Sequence, residues 1–248
     1  MITMTESNPT TASRRFNWRR LFQFRLRTLL ILTTIIAVLL GWWSHKARQQ
    51  REAVAALNKA ALICYDFEKK WGEQSQVPFW PAWLVDALGV DYFANVEAIG
   101  VFDKQITDDW LSHLKGVPLL QRLVLNNTQI SDAGLEHLNG MTALQVLDLR
   151  NTQATDAGLK HLEGLTALQW LWLDNTQVTD AGLEHLKNLT TLQVLDLRNT
   201  QVTDAGLEHL KGLTTLQRLH LNNTQVTDAG MERLQKALPN CKIVQSTP

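Results

Sequence analysis

Two cysteines among 248 residues, Cys64 and Cys241, leave no room for a disulfide framework. They stand near opposite ends of what the pattern below makes an elongated body, and a disulfide needs Cα atoms within about 7 Å. They read as small buried apolar residues. No CxxC or Cys/His spacing offers a zinc site, so no metal is expected. Charge of one sign is missing too: 24 basic residues balance 24 acidic ones, which argues against a general nucleic-acid binder. Catalytic signatures are also lacking. There is no GxSxG, HExxH, Walker loop or GxGxxG, and the few serines form no plausible triad with a histidine. The expectation is a protein that is not an enzyme and carries no cofactor.

The zero net charge hides an asymmetry. Arg14, Arg15, Arg19, Arg20, Arg25 and Arg27 crowd the N-terminus, opposed there by Glu6 alone, and 18 basic and 23 acidic residues remain elsewhere. An apolar run follows, opening at Leu26 and closing at Trp43: LRTLLILTTIIAVLLGWW. Its uncharged part, from Thr28, rises about 24 Å as a helix, against a hydrocarbon core of about 30 Å. The run is short, but Arg25 and Arg27 can snorkel. Trp42 and Trp43 stand where an interfacial aromatic belt belongs, with Trp18 on the other side. A buried soluble helix fits poorly with an apolar surface all round. A cleaved signal peptide is the stronger rival, because the apolar core is only about 15 residues long. The segment after it, GWWSHK from Gly41, offers no small-x-small cleavage site. An uncleaved signal-anchor is therefore the favoured reading. The arginine excess places the N-terminus in the cytoplasm and the rest outside it.

Beyond residue 95 the chain repeats itself, which is the feature to seek first. The string LQVLDLRNT begins at Leu144 and again at Leu192, and Leu120, Leu144, Leu168, Leu192 and Leu216 are 24 residues apart. The unit reads LQxLxLxNTQxTDAGLxHLxxLTx. An eroded first copy starts at Val96, with Ile99, Val101, Ile106, Asp108, Leu111 and Leu114 in register. This makes six units over 96–240. In the fifth, Leu192, Leu195 and Leu197 fit a short strand with leucines inward. Leu207, Leu210 and Leu213 form one stripe of a short helix, Thr203-Asp204 caps it, and Asn199-Thr200-Gln201 turns the chain between strand and helix. One unit of this size cannot bury its apolar face alone, so neighbours must stack and the architecture is a solenoid.

These residues resemble the leucine-rich repeat family. Its LxxLxLxxN signature stands here as LxxLxLxxT, with Thr128, Thr152, Thr176, Thr200 and Thr224 in the asparagine position, where a hydroxyl can bond the neighbouring turn's backbone with fewer groups than an amide. The resemblance implies an α/β leucine-rich repeat solenoid, a right-handed βα horseshoe of six 24-residue repeats with one N-terminal transmembrane helix. The layout, anchor included, is similar to bacterial membrane-anchored leucine-rich repeat proteins. The expected organisation is a basic cytoplasmic tail (1–25), a transmembrane helix (26–43), a juxtamembrane helix (44–76), an N-terminal cap rich in large apolar residues (77–95), the repeats (96–240) and a C-terminal cap strand (241–248) following Pro239. Ala53, Val54, Leu57, Ala60 and Ala61 can pack on the cap or on a second copy.

In such a horseshoe the strands line the concave face, and the positions two, four and six residues after each unit's first leucine point outward. Arg122, Val124 and Asn126 occupy them in the second unit, Val146, Asp148 and Arg150 in the third, and Trp170, Trp172 and Asp174 in the fourth. Val194, Asp196 and Arg198 follow in the fifth, and Arg218, His220 and Asn222 in the sixth. Trp170 and Trp172 replace valine and aspartate of the flanking units, so the core does not require them. Ringed by Asp148, Arg150, Asp196 and Arg198, they match aromatic anchors with a polar rim, although indoles lying flat to cover the sheet would look the same. Asp174, Arg218 and His220 complete the candidate binding face. His220 beside Arg218 and Asp196 is the one arrangement worth testing for catalysis.

Other ladders have blander explanations. His113, His137, His161, His185 and His209 recur once per unit, but adjacent helices lie roughly 8–10 Å apart and metal ligands must converge within about 2 Å of one ion. A solvated convex face explains them. Aspartates 108, 132, 156, 180, 204 and 228 form a row that calcium can be imagined to use, yet each sits where a helix N-terminus wants a carboxylate. Glycines 134, 158, 182, 206 and 230 let neighbouring units approach.

The favoured function is recognition of a protein partner, with glycan or peptide behind it, by a single-pass membrane protein whose repeat domain is extracytoplasmic. The alternative is a structural or assembly role in the cell envelope through juxtamembrane homo-oligomers of the segment 44–71. The orientation is open to test. In intact spheroplasts, added protease should remove a C-terminal tag, and a tag that survives contradicts the assignment.

Overall fold

The computed structural model describes residues 18–57, 61–65, 95–101 and 106–245. The expected N-terminal cap and the first 17 residues lie outside the described residues, Asn95 excepted. The chain divides into two compact units, one ending at His45 and one beginning at Lys46. A single helix, α1 (Trp18–Leu57), runs from the first into the second.

Within the first unit, α1 exposes every large apolar side chain from Leu29 to Trp43. By length and composition the part of α1 over Leu29–Leu57 is long and apolar enough to cross a membrane. Its hydroxyls are satisfied inside the helix: Thr33 Oγ1 donates to the Leu30 carbonyl at 3.0 Å, Thr34 donates to the same carbonyl, and Ser44 Oγ donates to Gly41 at 3.0 Å. Hydroxyls bonded in this way add little to the cost of an apolar surrounding.

In the second unit the end of α1 changes character. Ala47, Gln50, Ala53, Val54 and Leu57 are buried, a stripe at helical spacing. Ala53, Val54 and Leu57 join the core of the repeats. Gly116 marks the contact, because a Cβ there would collide with Ala53. The helix expected to continue to residue 76 stops at Leu57, and strand β1 (Ala61–Tyr65) follows. β1 pairs antiparallel with β2 (Val96–Val101), Ile63 facing Ile99. Pairing an edge satisfies backbone groups that a continued helix would have left open on β2. The predicted packing surface at Ala53, Val54 and Leu57 is thus used within the chain.

From β2 onward the sheet is parallel, its eight strands in sequence order. β3 (Arg122–Val124), β4 (Val146–Asp148), β5 (Trp170–Trp172), β6 (Val194–Asp196), β7 (Arg218–His220) and β8 (Lys242–Val244) stack one repeat apart. Leu123, Leu147, Leu171, Leu195 and Leu219 face one another in register and are fully buried. The ladder runs past the named strands, with Leu125 N–H donating to Asp148 O at 2.8 Å and Asn127 N–H to Arg150 O at 2.8 Å. Asn127, Asn151, Asn175, Asn199 and Asn223 then turn the chain at φ of 53–59°, a left-handed conformation that asparagine tolerates. The threonine after each bonds its own turn rather than the neighbouring one: Thr128 Oγ1 donates to Leu125 O at 2.6 Å, and the other four copies repeat this.

The return segment is tighter than an α-helix. One α-turn, such as Asp204–Leu207, passes into a 3-10 turn, Glu208–Leu210. Leucines three apart align on a 3-10 helix, whose period is 3.0, so the spacing of Leu207 and Leu210 favours that geometry. The final helix, Asp228–Ala237, is a longer α-helix. Pro239 ends it, and β8 pairs with β7 at the end of the sheet.

The aspartate row does more than favour a helix start. Asp132 accepts the Thr155 N–H at 2.8 Å and the Thr155 hydroxyl at 2.6 Å, one repeat ahead. The Thr155 hydroxyl in turn accepts from Ala157 N–H at 3.3 Å as the N-cap. Asp108 does the same for Ser131, Asp156 for Thr179, Asp180 for Thr203 and Asp204 for Thr227. The glycine ladder makes room for these carboxylates: a Cβ on Gly182 would press into Asp156 Oδ1, itself tied to Thr179 and unable to retreat. Gly182→Ala should therefore destabilise by about 1–3 kcal/mol through overpacking. Gly164→Ala, with nothing within 4 Å, should be neutral or stabilise by about 0.4–1 kcal/mol. Thermal melts of the two variants check this, and equal losses would contradict it.

Candidate functional site

Strand alternation decides which side chains leave the core. In β5 Leu171 points inward and is fully buried, so Trp170 and Trp172 must point to the outer face of the sheet. Trp170 is 38% exposed and Trp172 is half-buried. Their ring centroids lie 6.3 Å apart with the planes tilted by 60°. The pair is an angled corner rather than a flat cover. Parallel register sets Val146 and Val194 on either side of Trp170, and Asp148 and Asp196 on either side of Trp172.

The predicted rim takes a different form. Asp148 and Asp196 are buried, at 3% and 2% exposure. Arg150 clasps Asp148 with two bonds, Nε to Oδ1 at 2.9 Å and Nη2 to Oδ2 at 2.6 Å. Arg198 holds Asp196 at the same two distances. Residues two apart on a strand share a face, so the Asp-Leu-Arg string closes a bidentate pair on itself. The aspartates are thus the floor of the face and not its rim. The Arg150 guanidinium carbon lies 5.9 Å from the Trp172 centroid, within cation–π range.

Asp174 lies in the next row, buried between the two arginines. Its Oδ2 accepts from Asn175 Nδ2 at 3.3 Å. Its Oδ1 is 3.8 Å from Arg150 Nε and accepts no hydrogen bond. Burial pushes this carboxyl above its ordinary value, and the Asp196 charge adds to the rise.

Arg218 is exposed and His220 half-buried on β7. His220 faces Asp196 in register, but Asp196 is taken by Arg198, and His220 makes no hydrogen bond to it. The one arrangement singled out for a catalytic test is therefore not joined by a hydrogen bond between His220 and Asp196. A depression of about 370 Å³ gathers Trp170, Trp172, Arg218 and His220 with Val194, Gln193 and Gln217. Asp148, Arg150, Asp174, Asp196 and Arg198 do not line it. The two glutamines were legible only as the constant second residue of each repeat, which gave no reason to prefer them. On the opposite surface His185 Nδ1 meets Glu163 Oε1 at 2.5 Å, and Asn139 Nδ2 meets His161 at 3.3 Å. No cluster of three metal-ligating residues occurs among the described residues.

Comparison with known families places the repeats. The description "Leucine rich repeat" matches residues 118–178, and "Leucine Rich repeats (2 copies)" matches residues 190–236. This repeat domain belongs to the leucine-rich repeat family, whose domains generally mediate protein–protein interaction. Among solved structures, internalin C2 of Listeria monocytogenes is 21% identical over 64% of this chain and 83% of its own, with a TM-score of 0.46. Another internalin of that organism is 25% identical over 55% of this chain and 44% of its own, TM-score 0.41. A leucine-rich repeat protein of Leptospira interrogans is 26% identical over 60% of this chain and 36% of its own, TM-score 0.48. The match spans less than half of the latter two. No curated protein matches the chain.

The Asp174 geometry carries a pH dependence. Below 3.8, the ordinary aspartate value, folded and unfolded states both hold the proton and ionisation costs the fold nothing. As pH rises from there through the raised folded value, the unfolded state ionises more readily and stability is lost. Asp174→Asn stays neutral throughout. It should melt above the parent protein at pH 7, and the gap should close on acidification below that value. A variant that melts lower at pH 7 would contradict this.

Proposed function

We propose that the chain is a membrane-tethered recognition protein that binds a protein partner on the concave, strand-bearing face of its repeats. The carrying observation is the Trp170–Trp172 corner: two large aromatic side chains outside the core, in rows where the flanking repeats hold valine and aspartate. Aromatic anchors of this kind dominate interface energetics. The closed Asp148–Arg150 and Asp196–Arg198 pairs support the same reading, because they stiffen the floor beneath the indoles at little cost in accessible charge. A corner held in place loses less freedom when a partner docks.

The tether in this proposal is the apolar stretch of α1, retained as a signal-anchor, with the N-terminus cytoplasmic and the repeats outside. The exposure of its large apolar side chains and the internal bonding of Thr33, Thr34 and Ser44 support it. Assembly through the segment 44–71 gains no support, since Ala53, Val54 and Leu57 serve the core of the repeat unit.

Trp172→Ala in the full-length, membrane-resident protein tests the concave face. Cross-linked partner recovered in parallel from parent and variant should fall at least tenfold, a loss of about 1.4 kcal/mol or more, while far-UV circular dichroism and melting temperature stay nearly unchanged. Undiminished recovery of the same partner would remove the proposal.

A further inference from the structure

The charges on the outer face are not treated alike. Arg150 and Arg198 each hold a buried carboxylate. The first outward row holds no acid at all: Arg122, Val146, Trp170, Val194, Arg218 and Lys242 face one another strand by strand. Arg122, Arg218 and Lys242 are exposed and make no salt bridge with any described residue. Arg218 and Lys242 stand directly opposite each other in register, a like-charge pair that costs stability in a sheet. Among the described residues the other two arginines of this face each have a carboxylate, and these cations, on both sides of an aromatic centre, have none.

We infer that this row receives an extended acidic segment of a polypeptide partner, with an apolar side chain in the Trp170 corner and carboxylates on Arg218 and Lys242 at one end and on Arg122 at the other. The inference rests on the concave-face reading above and names the chemistry of its partner. The spacing supports a peptide. Neighbouring strands lie about 4.8 Å apart, so Arg122 and Arg218, four strands apart, are separated by about 19 Å. An extended chain covers that distance in about six residues at 3.3 Å each. The carboxylates then fall about three residues before and after the apolar anchor. A polyanion such as nucleic acid, charged at every step, would call for an unbroken line of cations, and here Val146, Trp170 and Val194 interrupt it. Complementary charge at the ends of an apolar contact fixes register and speeds encounter.

Selection of random dodecapeptides on the full-length protein in phosphatidylcholine nanodiscs tests the inference, with Trp170→Ala as the counter-screen. Enriched peptides should carry Asp or Glu on both sides of an aliphatic or aromatic residue. A synthetic peptide of the enriched sequence should bind at least tenfold more weakly to Arg218→Glu and to Lys242→Glu. Its affinity should also fall several-fold between 50 and 300 mM salt, as screening requires. Arg218→Gln, which removes the charge without reversing it, should give an intermediate loss and guards against a folding defect. Neutral or basic peptides that are lost in Trp170→Ala overturn the acidic partner and leave the concave face standing. So does polyphosphate that binds the parent protein and competes fully with them. If no enrichment depends on Trp170, both readings fall.

Discussion

The bridge from each aspartate to the residue that caps the next repeat is the interaction on which the repeat stack depends. One carboxylate accepts a backbone N–H and a hydroxyl from 23 residues ahead, and the copies run from Asp108–Ser131 to Asp204–Thr227. Hydrogen bonds to a charged group contribute about 1.5–3 kcal/mol each. They fall where the leucines of two units meet, and the glycine beside each carboxylate leaves the space it occupies. A 24-residue unit has no core of its own. These bridges and the leucine contacts convert a weak unit into a stable member of a stack.

The proposed binding face follows from the stacking. Identical offsets between repeats bring corresponding residues into straight rows across the sheet, so each outward position has the same position of its neighbours on either side. A departure in one repeat is set among the constant residues of the others. Trp170 lies between two valines and Trp172 between two aspartates for this reason. Arg150 and Arg198 then close over those aspartates and lend Trp172 one cation–π neighbour. The same registry leaves Arg218 and Lys242 opposed without an acid between them.

Most of the fold is legible in the sequence, because leucine spacing states both the period and the inward face. The outward placement of Trp170 and Trp172 follows from strand alternation alone. The aspartate bridge is not legible, because Thr-Asp at a helix start also satisfies every local rule for a cap, and the true acceptor–donor pair is 23 residues apart. The strand Ala61–Tyr65 is hidden for a related reason: ALICY continues an Ala/Leu pattern compatible with helix, and pairing with β2 depends on an edge that a local pattern does not reveal. The 3-10 turns were present in the three-residue leucine spacing, which an α-helical stripe also accommodates over so short a run. The burial of Asp148 and Asp196 had a signal as well. Aspartate and arginine two apart on a strand share a face, and their pairing turns an expected rim into a floor.

In the function proposed here, the strand-bearing face is where this protein meets its partner. Site-specific photo-cross-linking in the native membrane tests it most directly, with the reactive residue placed at Val194 on that face or at Glu208 on the opposite surface. Adducts to a distinct second protein from position 194 and none from 208 are the expected result. The same adducts from 208 alone would contradict it.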